Sequence, residues 1–382
     1  MNFWLRPDKV FDDRDLKSGL ALKVENEGIS EVAPVDQLPS DANVHNVSGV
    51  VTPGFVDLQV NGGGGVLLNK TPTAEGIGVI AQAHRQYGTT AIMPTVITDS
   101  PGVLTAAVKA AIEAKDQPGI VGLHIEGPHI SLPRRGTHKA QFVRKMDQTT
   151  ISCVAALCKA GVKTMVTLAP EAASPAEIQA LVELGAVVSI GHTDASSEDV
   201  KQAFAAGATC ATHLFNAMSQ MQGRAPGAVG AVLNSELYSG IICDGIHVAD
   251  EMVGLAIRAR PVADRMFLVS DAMPTVGGPD HFDLYGKTIR LQEGRLVNSE
   301  GGLAGAHVTQ AEGLKRLIAN VRASPEAALR MAVSTPAAVI SAKELAQIRK
   351  RPLNDLLILD ADWDVTGTVA EHLERLAETS HG

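Results

Sequence analysis

Between residues 55 and 271, short apolar runs of β type alternate with helix-like segments, and no long gap breaks the rhythm. The runs are Phe55–Asn61, Thr90–Pro94, Ile120–Glu126, Lys163–Ala169, Ala186–His192, Thr209–His213, Tyr238–Cys243 and Met266–Asp271. Strand, helix, strand is a parallel crossover unit, and eight strands in such a series favour closure into an α/β fold of the (β/α)8 TIM-like barrel type over an open sheet. Punctuation agrees. Ser174-Pro175-Ala-Glu177 reads as a capping box with proline in the first helical turn and Gly185 past the last one, and Gly88, Gly161 and Gly207 stop other helices.

The chain ends read differently. Gly19–Val24 and Ile29–Val32 flank Glu25-Asn-Glu-Gly28, a plausible hairpin turn, and β pattern returns in Asn354–Asp360 and Asp364–Val369. Helices are expected over Ala306–Asn320 and Ser324–Val333, while Glu371–Gly382 reads as helical or frayed. The simplest division is a barrel over residues 50–340, with residues 1–49 and 341–382 packed together as one small β domain.

A formal net charge of −9 and the lack of Lys/Arg-rich runs argue against nucleic acid or an anionic membrane as partner. Cys153, Cys158, Cys210 and Cys243 show no CxxC spacing and are expected to be reduced packing residues. With no apolar leader pattern at Met1–Asp8 and no run of 18 apolar residues, a cytoplasmic location is expected.

Polar residues punctuate the strand ends. Asp57, Glu126, His192, His213 and Asp271 close the first, third, fifth, sixth and eighth runs, so all five are expected at the C-terminal mouth, where barrels of this type gather their chemistry. Glu126, His192 and His213 form an oxygen/nitrogen/nitrogen set suited to one borderline divalent ion, Zn²⁺ first, with a position left for water. Such an ion acidifies water to near neutrality, which makes a hydrolase the expected class. Asp271, in Leu-Val-Ser-Asp-Ala-Met-Pro, is read as the general base and then the general acid; capping the following loop is its bland alternative.

His138 follows the third strand and His247 the seventh, and from spacing alone each is as readily a solvent-facing loop histidine as a substrate contact. Arg224 sits in a Gly/Pro loop that can present a guanidinium to phosphate or simply face solvent. Gly62–Gly65 lack the GK[ST] ending of a phosphate loop and read as a flexible or close-approach loop. His124 is expected in a supporting or core role.

Taken together, Pro53-Gly-Phe-Val-Asp57-Leu-Gln-Val-Asn61-Gly, His124-Ile-Glu126-Gly-Pro128, Arg135-Gly-Thr-His138, Thr167-Leu-Ala-Pro-Glu171, Gly191-His192-Thr, Ala211-Thr-His213-Leu-Phe-Asn216-Ala-Met218, Asp244-Gly-Ile-His247 and Ser270-Asp271-Ala resemble the N-acetylglucosamine-6-phosphate deacetylases of the amidohydrolase superfamily. The resemblance covers roughly residues 50–340. It implies a barrel with a small β-sandwich built from both chain ends, a homodimer, and removal of acetate from N-acetyl-D-glucosamine 6-phosphate. It also implies that Glu126, His192 and His213 hold the metal, most often Zn²⁺ with Fe²⁺, Co²⁺ or Mn²⁺ as substitutes, that Asp271 is the acid/base, and that His138 polarises the acetyl carbonyl. Thr137, Asn216, Ala217, His247 and the Leu303-Ala304-Gly305 turn would contact substrate, with Arg224 reaching the neighbouring subunit's site. Gln59-Val60-Asn61 stands where many amidohydrolases carry His-x-His, so one metal is expected rather than two. Alternatives are an amidohydrolase acting on another N-acyl amino sugar or amino acid, and a catalytically silent sugar-phosphate sensor.

Overall fold

The structure, a computed structural model, describes residues 2–26, 28–298 and 301–379. Eight parallel strands form the barrel in chain order: Phe55–Val60, Thr89–Ile97, Leu123–Glu126, Thr164–Leu168, Val187–Ile190, Cys210–Ala211, Tyr238–Ile241 and Met266–Leu268. Each hydrogen-bonds to the next, for example Glu126 opposite Thr167 and Ser189 opposite Cys210. The first strand meets the chain just beyond the eighth: Asp271 N donates to Gln59 O at 3.0 Å and Asn61 N to Ala272 O at 2.9 Å. The barrel is thereby nearly closed.

The helices start and stop where local chemistry dictates. In the Pro175–Glu183 helix, Ser174 Oγ accepts from Glu177 N while Glu177 Oε2 accepts from Ser174 N at 2.7 Å, which satisfies two orphan donors at once. Gly88, Gly161, Gly185 and Gly207 take positive φ of 86°, 76°, 98° and 107° after helices, a conformation that carries little penalty without a Cβ. Fully buried Phe55, Leu58, Phe267, Met93 and Leu123 lie in the barrel core. Each such side chain contributes about 1.5–3 kcal/mol, against at most about 1 kcal/mol for an exposed ion pair such as Lys109–Glu113. The core therefore holds the barrel together.

Both chain ends join one mixed sheet of seven strands. Asn2–Asp12 pairs in parallel with Val44–Pro53, whose other edge takes the C-terminal strand Leu356–Leu359 in antiparallel register, Leu356 opposite Pro53. The hairpin of Leu20–Glu25 and Gly28–Pro34 forms as expected; Glu27 of its turn lies outside the described residues. Helix Val369–Thr379 lays Val369, Ala370 and Leu373 on this sheet's core, and Ser380–Gly382 lie outside the described residues.

One element departs from the sequence reading. After the eighth barrel strand the chain builds an antiparallel four-stranded sheet, His281–Leu284, Lys287–Gln292, Arg295–Val297 and Leu303–Ala306, before the helix at Gln310–Ala319 begins. Its apolar face, Phe282, Leu284, Ile289, Leu296 and Ala304, packs on Leu67, Ile97 and Met273 at the barrel mouth. Among the described residues, no helix is long and apolar enough to cross a membrane. All four cysteines are free; Cys153, Cys210 and Cys243 are buried and Cys158 is half-buried.

Candidate active site

The C-terminal mouth holds a cavity of about 170 Å³ whose floor carries Glu126, His192, His213 and Asp271. Three of these polar residues leave their strands in left-handed backbone, with φ of 46° at His192, 29° at His213 and 51° at Asp271. A sharp turn at the strand end lets a side chain point over the barrel axis. Such a turn in a non-glycine residue is unfavourable and is held by its surroundings.

His192 Nδ1 donates to the Arg134 carbonyl oxygen at 2.9 Å, and since a carbonyl only accepts, the neutral ring's proton sits there and Nε2 presents a lone pair. That Nε2 faces Glu126 Oε1 at 3.1 Å and His213 Nε2 at 3.1 Å, while His213 Nε2 faces Glu126 Oε1 at 3.0 Å. Electron-rich atoms this close need positive charge among them. Burial pushes the Glu126 carboxyl up, but the two imidazoles beside it outweigh burial and hold the group well below its ordinary range. Burial likewise pulls His213 down, and the Glu126 carboxylate overrides it and holds the ring up. A carboxylate oxygen and two imidazole nitrogens, all buried, fit one divalent ion.

Two amides tie this set to Asp271. Gln59 Nε2 donates to Glu126 Oε1 at 2.9 Å and to Asp271 Oδ1 at 3.1 Å, and Asn61 Nδ2 donates to Asp271 Oδ1 at 2.6 Å. Neutral amides thus occupy positions 59 and 61 at the first strand's end. Burial, and then the Glu126 charge, push the Asp271 carboxyl up to about 6. A carboxylate so placed exchanges protons near neutral pH.

The loop histidines also reach the cavity. His138 lies against His192 with ring centroids 4.4 Å apart and planes tilted by 44°, and burial pushes its pKa down to about 3, so the ring is neutral. His247 Nδ1 lies 2.6 Å from Asp244 Oδ2, while Asp244 Oδ1 accepts from the backbone of Ile246 and His247 at 2.8 Å each. Thr137, Asn216, Ala217, Leu303 and Gly305 line the cavity. Asn216 N closes a turn onto His213 O at 3.0 Å, and the Asn216 side-chain amide donates back to the His213 and Leu214 carbonyl oxygens at 3.4 Å each.

Several expected residues lie elsewhere. Asp57 does not join the mouth: it sits deeper in the first strand, fully buried, where it accepts from Gln59 N at 3.2 Å and from Ser270 N at 3.2 and 3.3 Å. Ala304 turns away from Leu303 and Gly305, as strand alternation requires, into the core of the inserted sheet. Arg224 is exposed and does not line the cavity of its own chain. His124 bonds Thr167 Oγ1 at 2.7 Å within the barrel, its expected supporting place. The glycine run is a close-approach loop. Gly62, Gly64 and Gly65 donate backbone N–H groups to the Ala272–Val276 segment beyond Asp271, and a Cβ on Gly62 would sit 2.4 Å from Val66 O.

Sequence reasoning missed Gln59 and Asn61 as carboxylate holders, although both share the strand parity of Asp57. It also missed Thr98, whose Oγ1 lies 2.7 Å from His138 Nδ1. No motif marks that residue.

Comparison with known proteins places this geometry in context. The Amidohydrolase family profile matches residues 50–378. A Shewanella sp. (strain ANA-3) protein named N-acetylgalactosamine-6-phosphate deacetylase is 38% identical over 366 residues, 94% of this chain and 92% of that protein. The Haemophilus influenzae N-acetylglucosamine-6-phosphate deacetylase is 34% identical over 369 residues, 94% of this chain and 96% of that one. Among solved structures, the Pasteurella multocida N-acetylglucosamine-6-phosphate deacetylase superposes with a TM-score of 0.88 at 33% identity, covering 96% of this chain and 98% of its own.

Proposed function

The chain belongs to the amidohydrolase family, and from that premise we propose that it is a hydrolase cleaving the acetamide of N-acetyl-D-glucosamine 6-phosphate, releasing acetate and D-glucosamine 6-phosphate. The observation that carries the reading is the mutual 3.0–3.1 Å approach of Glu126, His192 and His213, joined through Gln59 to Asp271 on the cavity floor. Glu126, His192 and His213 would hold one divalent ion, Zn²⁺ in this proposal. When bound, the ion supplies Lewis acidity to water and to the acyl oxygen.

The chain's own groups do the rest. Asp271 Oδ1 is held by the Asn61 and Gln59 amides, so Oδ2 takes the proton of the attacking water and then delivers it to the amine nitrogen as the C–N bond breaks. His138 Nε2–H donates to the acyl oxygen as negative charge develops there. His247, oriented by Asp244, together with Thr137 and the Asn216–Ala217 turn, binds the sugar phosphate, and Leu303 and Gly305 of the inserted sheet cover it. Arg224 of a second copy completes phosphate binding in a homodimer working in the cytoplasm.

A second reading is favoured by one observation: the relative at 38% identity is named for the galactosamine substrate, the epimer at the sugar C4 hydroxyl. Acetate release from the gluco and galacto 6-phosphates and from unphosphorylated N-acetylglucosamine, with chelator and with added Zn²⁺, separates the readings. Faster release from the gluco phosphate, abolished by chelator and restored by Zn²⁺, is the expected result; preference for the galacto phosphate supports the second. Release that ignores the phosphate, or no release from metal-replete protein, overturns both.

A further inference from the structure

His138 borders the cavity, and on its buried side Nδ1 meets Thr98 Oγ1 at 2.7 Å. A neutral imidazole carries one proton, and the hydrogen bond at one nitrogen decides which nitrogen holds it. The proton of the Thr98 hydroxyl has two acceptors within reach: His138 Nδ1 at 2.7 Å and the Glu126 carbonyl oxygen at 3.4 Å. The first distance is that of a good hydrogen bond and the second is at the limit of one. Thr98 is 1% exposed, so solvent offers no alternative, and a buried hydroxyl uses its proton where it can.

Thr98 itself is held from two sides. Its carbonyl accepts from the Tyr285 hydroxyl, which comes from the turn between the first two strands of the inserted sheet. Gly127 leaves room for its side chain, since a Cβ there would lie 2.2 Å from Thr98 Oγ1. The hydroxyl therefore has a fixed place and one good acceptor.

The geometry points to Thr98 as a positioning residue that donates to Nδ1 and so fixes His138 as the Nε2–H tautomer, presenting a donor rather than a lone pair to the acyl oxygen. This rests on the reading of His138 as the group that polarises the carbonyl, and adds the residue that sets its proton.

Thr98→Val and Thr98→Ser in the metal-replete full chain test it, with melting midpoint and metal content as controls for folding. In the valine variant kcat falls roughly 10- to 100-fold while KM stays within about threefold, and serine, which restores the hydroxyl, returns kcat to within about threefold of the parent. Nitrogen-15 spectra of the imidazoles report the tautomer directly. The unsubstituted protein shows His138 protonated at Nε2 with Nδ1 bare, and the valine variant loses that preference. A proton on Nδ1 in the unsubstituted protein overturns the inference, as does a folded valine variant with normal kcat, or a serine variant as slow as valine. If valine prevents folding, the parent spectrum and the serine variant still decide. If the unsubstituted protein deacetylates neither sugar phosphate, the functional reading fails while the spectrum still reports the tautomer.

Discussion

Asp271, the proposed acid/base, sits in a place where a carboxylate is hard to keep. It is half-buried near Glu126, where the Asn61 and Gln59 amides and the neighbouring imidazoles offset the two like charges. Replacing Asp271 by Asn keeps the shape and removes the exchangeable proton. Metal content and sugar-phosphate affinity are expected to stay within a few-fold of the parent while kcat falls by about 10³-fold, measured by metal analysis, calorimetric titration and acetate release. Residues that make chemistry by type and by strand-end position, such as Glu126, His192, His213 and Asp271, were legible in the sequence. Gln59 and Asn61 were visible there as the absence of histidines, and their positive task appears only when both carboxylates are seen within reach of one amide. Thr98 was not legible, because a hydroxyl's role lies in which partner it faces.

At the scale of elements, Asp57 fastens the first barrel strand to the chain leaving the eighth through Ser270. Burial pushes its carboxyl up to about 7, against the donors that favour the charged form. The sign follows: a native pKa above the ordinary 3.8 means the folded chain holds the proton more tightly, so this contribution is full below about pH 3.8 and is lost as pH rises through about 7. Denaturant melts of the parent and of Asp57→Asn should diverge by up to about 4 kcal/mol across that window, the parent losing the more stability on the alkaline side. A constant difference between the two would remove Asp57 as the source. The barrel itself was readable from eight apolar runs with capped helices between them, whereas the inserted sheet was not. Its strands are short and their outer faces polar, yet Phe282 and Leu284 alternate with exposed neighbours, and Tyr285-Gly286 and Glu293-Gly294 mark its turns. Period-two alternation punctuated by glycine was the available signal.

The inserted sheet borders the barrel's mouth, while the small sheet meets the barrel at the start of its first two strands, where Gly54 N donates to Asp355 O at 2.8 Å, and the proposed second copy adds Arg224 to the mouth. That proposal has a quantitative consequence. If Arg224 serves the other subunit's site, mixing and reassembling the inactive Asp271→Asn and Arg224→Ala chains in equal amounts creates mixed dimers in which one site has both residues, and activity should recover to about a quarter of the parent's. No recovery after verified exchange would leave Arg224 acting within its own chain or not at all. A different consequence follows from the left-handed backbone at His192, His213 and Asp271, each disfavoured by about 1–3 kcal/mol for a residue with a side chain. Glycine would relax all three. Selection for heat resistance alone would therefore drive this chain toward glycine at the very positions proposed to do its work, and its most durable descendants would be inert.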